Sequence, residues 1–138
     1  MIFAQLTAKL VGQAYKLGQV DCFSAILQYL EFQGVEIPDE YQGQTRDTYA
    51  QFFQDDPVAA KGLMVAFMAE CLDEIKPHQA FAGDIMLLTL NDSNALPFLA
   101  INGGNGNIIA ASESRGVSVT PLKHYTIGRC WRCPRPSR

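Results

Sequence analysis

The sequence predicts an α+β domain with its helices first and an antiparallel meander second. Three observations carry this. Up to about residue 75, apolar side chains recur at helical intervals. From Asp84 onward the chain breaks into short β-type runs separated by turn residues. Its 138 residues, 48% of them apolar and 18% charged, fill one core and exclude a disordered chain, so residues 1–138 read as a single domain. Helices followed by strands, rather than alternating with them, is the α+β pattern.

Each element has its own signal. Ile2, Phe3, Leu6, Leu10 and Val11 predict a first helix that ends near Gly12 or Lys16, and Gly18 breaks the pattern again. Asp21 is placed to cap the next helix, since its carboxylate can accept an orphan backbone N–H. That helix runs from Cys22 to Gln33 with Phe23, Ile26, Leu27 and Leu30 on one side, and Gly34 stops it. Val35 to Gly43 is a Pro- and Gly-marked loop. Thr48–Phe53 reads as a short helix. Asp55 or Asp56 then caps a longer one, with Pro57 in its first turn and Val58–Ile75 as its body. The strands are expected at residues 84–90, 97–102, 107–112, 116–122 and 125–132. Gly104-Asn105-Gly106 between two apolar runs marks a hairpin, because Gly and Asn tolerate positive φ.

Composition removes several function classes. A net charge of -3 gives no basic patch for nucleic acid. The longest apolar runs are far shorter than the roughly 20 residues of a membrane-spanning helix. Met1 to Lys9 lacks the pattern of a secretory signal, so synthesis in the cytoplasm and export by another route are expected. No cofactor is expected: "GGNGN" lacks the Lys-Ser/Thr of a phosphate loop. Nor is a metal: Cys130 and Cys133 supply two thiolates where structural sites use four ligands, and Asp55-Asp56 is explained by capping.

Cys22 is the residue with chemical promise. A thiol at a helix N-terminus sits at the positive end of the helix dipole, where a nucleophile can be used if a base lies close. Buried structure is the commoner reason for such a cysteine, and Asp21 beside it opposes the dipole.

The segment "YKLGQVDCFSAILQYLEFQGVEIP" resembles the nucleophile segment of the NlpC-like cysteine peptidases, a papain-like group that cuts peptidoglycan stem peptides. Tyr15, Gly18, Asp21, Cys22, Gly34, Val35 and Pro38 match its pattern. "AGDIMLL" resembles that family's Gly-Asp strand, "FLAINGGNGNIIAAS" its His-Val-Gly-Ile-Tyr-Leu-Gly-Asn-Gly segment, and "GVSVTPLKHYTIGRCWR" its closing strands. The resemblance implies a papain-like NlpC fold with Cys22 as nucleophile and a helical insert at about 39–82. Tyr15 and Asp21, at matched positions beside Cys22, are binding candidates.

One departure is chemical. Aligning Gly104-Asn105-Gly106 puts Phe98 where the resemblance implies the catalytic histidine, and Ala110 at a third, polar position. Phenylalanine neither accepts a thiol proton nor returns it to a leaving amine. Asn102, four residues on, shares a strand face with Phe98 and is the third binding candidate, though an amide is not a base. His78 and His124 match no motif; His124 could serve only through a rearranged strand order.

Small members encoded beside phage tail genes resemble this chain in the insert and the terminal Arg-x-Trp-Arg-like ending. The resemblance therefore implies a degenerate domain serving as a structural component of a phage or phage-like tail tip, located in the virion, with neighbouring tail-tip or hub proteins as partners. Two alternatives stay open: an active cell-wall cysteine peptidase with Cys22 as nucleophile and an unconventional base, and a non-catalytic module that binds peptidoglycan stem peptide. Tyr49, Phe52, Phe53, Leu63, Met64, Phe67 and Met68 exceed what one core contact needs. Part of this set is expected to stay exposed and, with the tail "CWRCPRPSR", to meet those partners.

Overall fold

The computed structural model describes residues 8–16, 21–112 and 114–134. The expected first helix lies partly outside these residues; its described end, residues 8–10, is helical, and the chain turns at 11–12 with Gly12 at φ 97°. Gly18 lies outside the described residues.

Helix α1 spans Cys22–Phe32. It starts where Asp21 caps it, Oδ1 accepting from the Ser24 N–H at 2.7 Å. Phe23, Ile26, Leu27 and Leu30 are buried together with Ala25 and Tyr29. Gly34, at φ 85°, provides the left-handed residue after the C-cap, and the Val35 N–H reaches back to the Leu30 carbonyl. Helix α2 spans Arg46–Asp55, starting earlier than its apolar residues indicate because Thr45 and Thr48 form a capping box. Helix α3 spans Pro57–Cys71, capped by Asp56 with Pro57 in its first turn.

The helix expected to run to Ile75 stops at Cys71. Leu72 is extended, and Asp73–Ile75 form a strand, β1, against Arg132, Trp131 and Cys130. Pairing with β6, with Glu74 bound to Arg129 at 2.6 Å, takes up this backbone in place of a further helical turn.

The remaining strands fall where the apolar runs place them: β2 Ile85–Leu90, β3 Phe98–Gly104, β4 Asn107–Ser112, β5 Gly116–Pro121 and β6 Tyr125–Arg132. They make a six-stranded sheet in the order β1-β6-β2-β3-β4-β5, antiparallel throughout. Gly104, Asn105 and Gly106 all have positive φ in the β3–β4 hairpin. Residues 12 and 13 cover the β5 edge: the Gly12 N–H donates to the Val117 carbonyl and the Val117 N–H to that of Gln13, both at 2.8 Å. This approach leaves no room for a Cβ on Gly116, whose φ is also 65°.

Alternation along β2 and β3 sorts the core into two layers. Ile85, Leu99 and Ile101 join the helices, with Leu87 packed against them. Met86, Leu88 and Ala100 face the other way. α1 lies over β3 and β4.

The expectation of exposure is corrected for most of the set from Tyr49 to Met68, although Val58 and Phe81 nearby are exposed. Tyr49, Leu63, Met64, Phe67 and Met68 are buried, while Phe52 and Phe53 are half-buried. The Phe23 ring lies 4.8 Å from that of Tyr49 and 5.9 Å from that of Phe67, so α2 and α3 complete the core around α1. Of the C-terminal tail, Cys130 and Trp131 are buried too, and residues 135–138 lie outside the described ones.

Candidate functional site

Cys22 is the first residue of α1, half-buried against the helix-side core. Its neighbours come from separate elements. Asp21 is 4% exposed and spends Oδ1 on the helix cap. Tyr15, Asp21, Cys22, Phe23, Tyr49 and Phe53 line one recess. Its free volume of ≈ 20 Å³ suits a single water, which needs at least about 10–15 Å³, and no peptide.

Lys61, on α3, donates from Nζ to the Cys22 Sγ at 3.5 Å. The same nitrogen lies 5.4 Å from the centre of the Phe53 ring, a cation–π contact. Sequence reasoning missed Lys61 as a site residue, since no motif spacing links it to Cys22. A signal existed: from Pro57 to Cys71 it is the sole positive residue, and Glu70 is the one other charge. The Tyr49 hydroxyl, donating to the Ala60 carbonyl at 3.2 Å, is pushed above its ordinary range chiefly by burial, with smaller electrostatic contributions from its neighbours Cys22 and Asp21.

Phe98 is elsewhere. Its ring meets that of Tyr125 edge-on at 5.3 Å, in the layer turned away from α1. Ala110 joins that layer. Asn102 is committed to the hairpin: Oδ1 accepts from the Gly104 N–H at 2.8 Å and Nδ2 approaches the Met86 sulfur. The structure thus brings Tyr15 and Asp21 to Cys22, but Asn102 stays with the hairpin. Both histidines are exposed, in the turns Pro77–Gln79 and Leu122–His124.

The other cysteines serve structure. Cys130 packs in one sheet layer and Cys133 against the other, because positions three apart on an extended chain face opposite ways. Burial pushes both thiols up to about 11, and raises Cys71 as well. Among the described residues no cluster of three or more His, Cys, Asp or Glu could hold a metal, and no helix is long and apolar enough to cross a membrane. The Gly-Asp strand also has a structural use. Asp84, 2% exposed, takes both Nε and an Nη of Arg132, at 3.0 and 2.9 Å, and the Phe81 N–H.

Comparison with known proteins agrees with this architecture. The chain belongs to the family described as "Domain of unknown function (DUF6950)", whose profile matches residues 2–133. No curated protein matches it. Among solved structures it is similar to the NlpC/p60 domain of the peptidoglycan hydrolase SagA, with 20% identity and a TM-score of 0.57. The match covers 96% of this chain and 99% of that one. At this identity the likeness shows the fold: α+β, of the NlpC type.

Proposed function

We propose that this chain is an NlpC-like domain that has given up histidine-assisted peptide hydrolysis and serves as a structural component of a phage or phage-like tail tip. The observation that carries the reading is Phe98. It stands where the sequence resemblance puts the histidine, and its ring packs on Tyr125 in the layer away from Cys22. Cysteine hydrolysis needs a base at the thiol and an acid at the leaving amine; a phenyl ring supplies neither. The water-sized recess beside Cys22 supports the same reading, with Tyr15 and Asp21 as what remains of a substrate wall. The link to peptidoglycan comes through the hydrolase whose NlpC/p60 domain shares the fold.

The test is genetic. In the particle that encodes the chain, deletion should abolish tail assembly, while Cys22→Ala should leave both assembly and infection unchanged. Particles that carry Cys22→Ala, assemble fully and fail to penetrate the cell wall would replace this reading with an active peptidase. That second reading is favoured by one contact, the lysine at the Cys22 sulfur.

A further inference from the structure

We infer that the cleft at the opposite end of α1 from Cys22 is a docking socket for a partner peptide, and that it takes one uncharged aromatic side chain together with the amide groups beside it. The inference does not depend on the tail-tip role proposed above.

The cleft has three walls. Tyr29 and Gln33 come from the end of α1, residues 81–83 from the turn before β2, and Arg132 and Cys133 from where β6 ends. At about 1.5 Å per helical residue, the α1 wall lies about 10–16 Å along the axis from Cys22, clear of the recess there. Its volume of ≈ 180 Å³ is well above that of a single water. It is also below the roughly 300 Å³ at which small-molecule pockets begin, which suits one side chain.

Its walls are held in place before anything binds. Phe81 is 57% exposed, yet the Arg132 guanidinium lies over its ring at 3.8 Å. Buried Asp84 fixes that guanidinium through Nε and one Nη, and also accepts the Phe81 N–H. The same Nη reaches the Gln79 carbonyl. The Tyr29 hydroxyl is pinned between the Gly83 carbonyl at 2.9 Å and the Gln33 amide at 2.8 Å. Aromatic and arginine side chains are the usual anchors of protein interfaces, and prior ordering lowers the entropy lost when they are covered.

Charge and hydrogen bonding select the occupant. The Asp84 and Arg132 charges cancel. Burial raises Tyr29 and pushes the Cys133 thiol up to about 11, so both are neutral near neutral pH. An ion entering here would shed water without an uncompensated opposite charge to meet it. Among the described residues, the other Nη of Arg132 and the Oε1 of Gln33 have no hydrogen-bond partner. That donor and acceptor match the C=O and N–H of a peptide, and the Phe81 ring matches an aromatic side chain.

The experiment titrates N-acetyl-phenylalanine amide, a neutral stand-in for such a residue, into the isotope-labelled full chain and follows backbone amides by NMR. Saturable shifts are expected at Gln33, Gly83 and Cys133 and none at Cys22, with a Kd of about 1 mM, in keeping with a fragment of this size. Phe81→Ala should weaken binding about two- to tenfold, the worth of one aromatic pair. Arg132→Lys, which keeps the charge and loses the fork, should weaken it as well. If Arg132→Lys fails to fold, Phe81→Ala, at an exposed ring, still decides. N-acetyl-phenylalanine, with its free carboxylate, should not saturate in the same range. Shifts that do not saturate, equal affinity in wild type and Phe81→Ala, or equal binding of the carboxylate would overturn the inference. The same shifts on raising the protein concentration without probe would assign the cleft to a second copy of the chain and overturn it too. None of these outcomes touches the tail-tip reading, which particle assembly tests.

Discussion

On the sheet face turned to α1, Ile85, Leu99, Ile101 and Trp131 are sealed into one core with the three helices. On the opposite face, Phe98, Ala110, Tyr125 and Ile127 are half-buried, with Ala80 and Leu122 from short connections packed among them. Cys22 belongs to the first region, and the position that the resemblance gives to the base belongs to the second. A base must lie within hydrogen-bond reach of its nucleophile, so no side chain at position 98, turned to the far layer, could serve Cys22 in this fold. The α1 side holds the fold together and tolerates little change. The far face buries Met86, Leu88, Ala100, Ile108 and Cys130 completely, and the Phe98–Tyr125 pair lies at its half-buried margin.

The largest expected effect tests the first region. Leu30 is fully buried on α1, and Leu30→Ala should cost about 2–5 kcal/mol through lost transfer energy and a cavity. Chemical denaturation reads this directly; an unchanged midpoint would break the contrast between the faces. Next is Gly116→Ala on β5. Positive φ and the Gln13 carbonyl both oppose a Cβ there, so the loss should exceed about 1 kcal/mol. Hydrogen exchange should show the Val117 amide losing protection before the centre of the sheet does.

On the far face, Phe98→Ala should cost roughly 1–2 kcal/mol, below the figure for full burial of the ring. A loss as large as that of Leu30→Ala would mean that Phe98 is core and that its placement owes nothing to a vanished site.

The smallest effect is at the sheet edge. The Arg129 guanidinium holds the Glu74 carboxyl below the ordinary carboxylate range. A depressed folded-state value stabilises above the unfolded pKa and is lost as pH falls through the folded one. The pair is largely exposed, so solvent screening leaves at most about 0.5 kcal/mol. The midpoint of Glu74→Gln should fall slightly below wild type at neutral pH and converge with it in acid. A gap that widens as pH falls would reverse the sign.

Much of the fold was legible because local signals agreed with tertiary packing. Asp21 and Asp56 cap helices, Gly34 ends one, and the five apolar runs after Asp84 are strands. β1 was not legible. Asp73-Glu74-Ile75 continues a helical pattern, and only its pairing with β6 makes it a strand. The surplus of apolar residues on α2 and α3 looked like an outward face because sequence does not show how two short helices fold over a third. Lys61 escaped notice for a related reason: it reaches Cys22 across 39 positions, through packing and not spacing. The resemblance put Phe98 at the position of a base, and its turn toward Tyr125 depends on which sheet face the helices occupy.

The account's central claim is that this NlpC fold retains its cysteine and has lost histidine-assisted hydrolysis. Digestion of purified muropeptides with the full-length wild-type chain, followed by mass spectrometry of the stem peptides, tests it most directly. The expected result is intact stem peptides from about pH 5 to pH 9, a range wide enough to include any histidine-dependent optimum. Stem-peptide cleavage by the wild type that disappears in Cys22→Ala would contradict it.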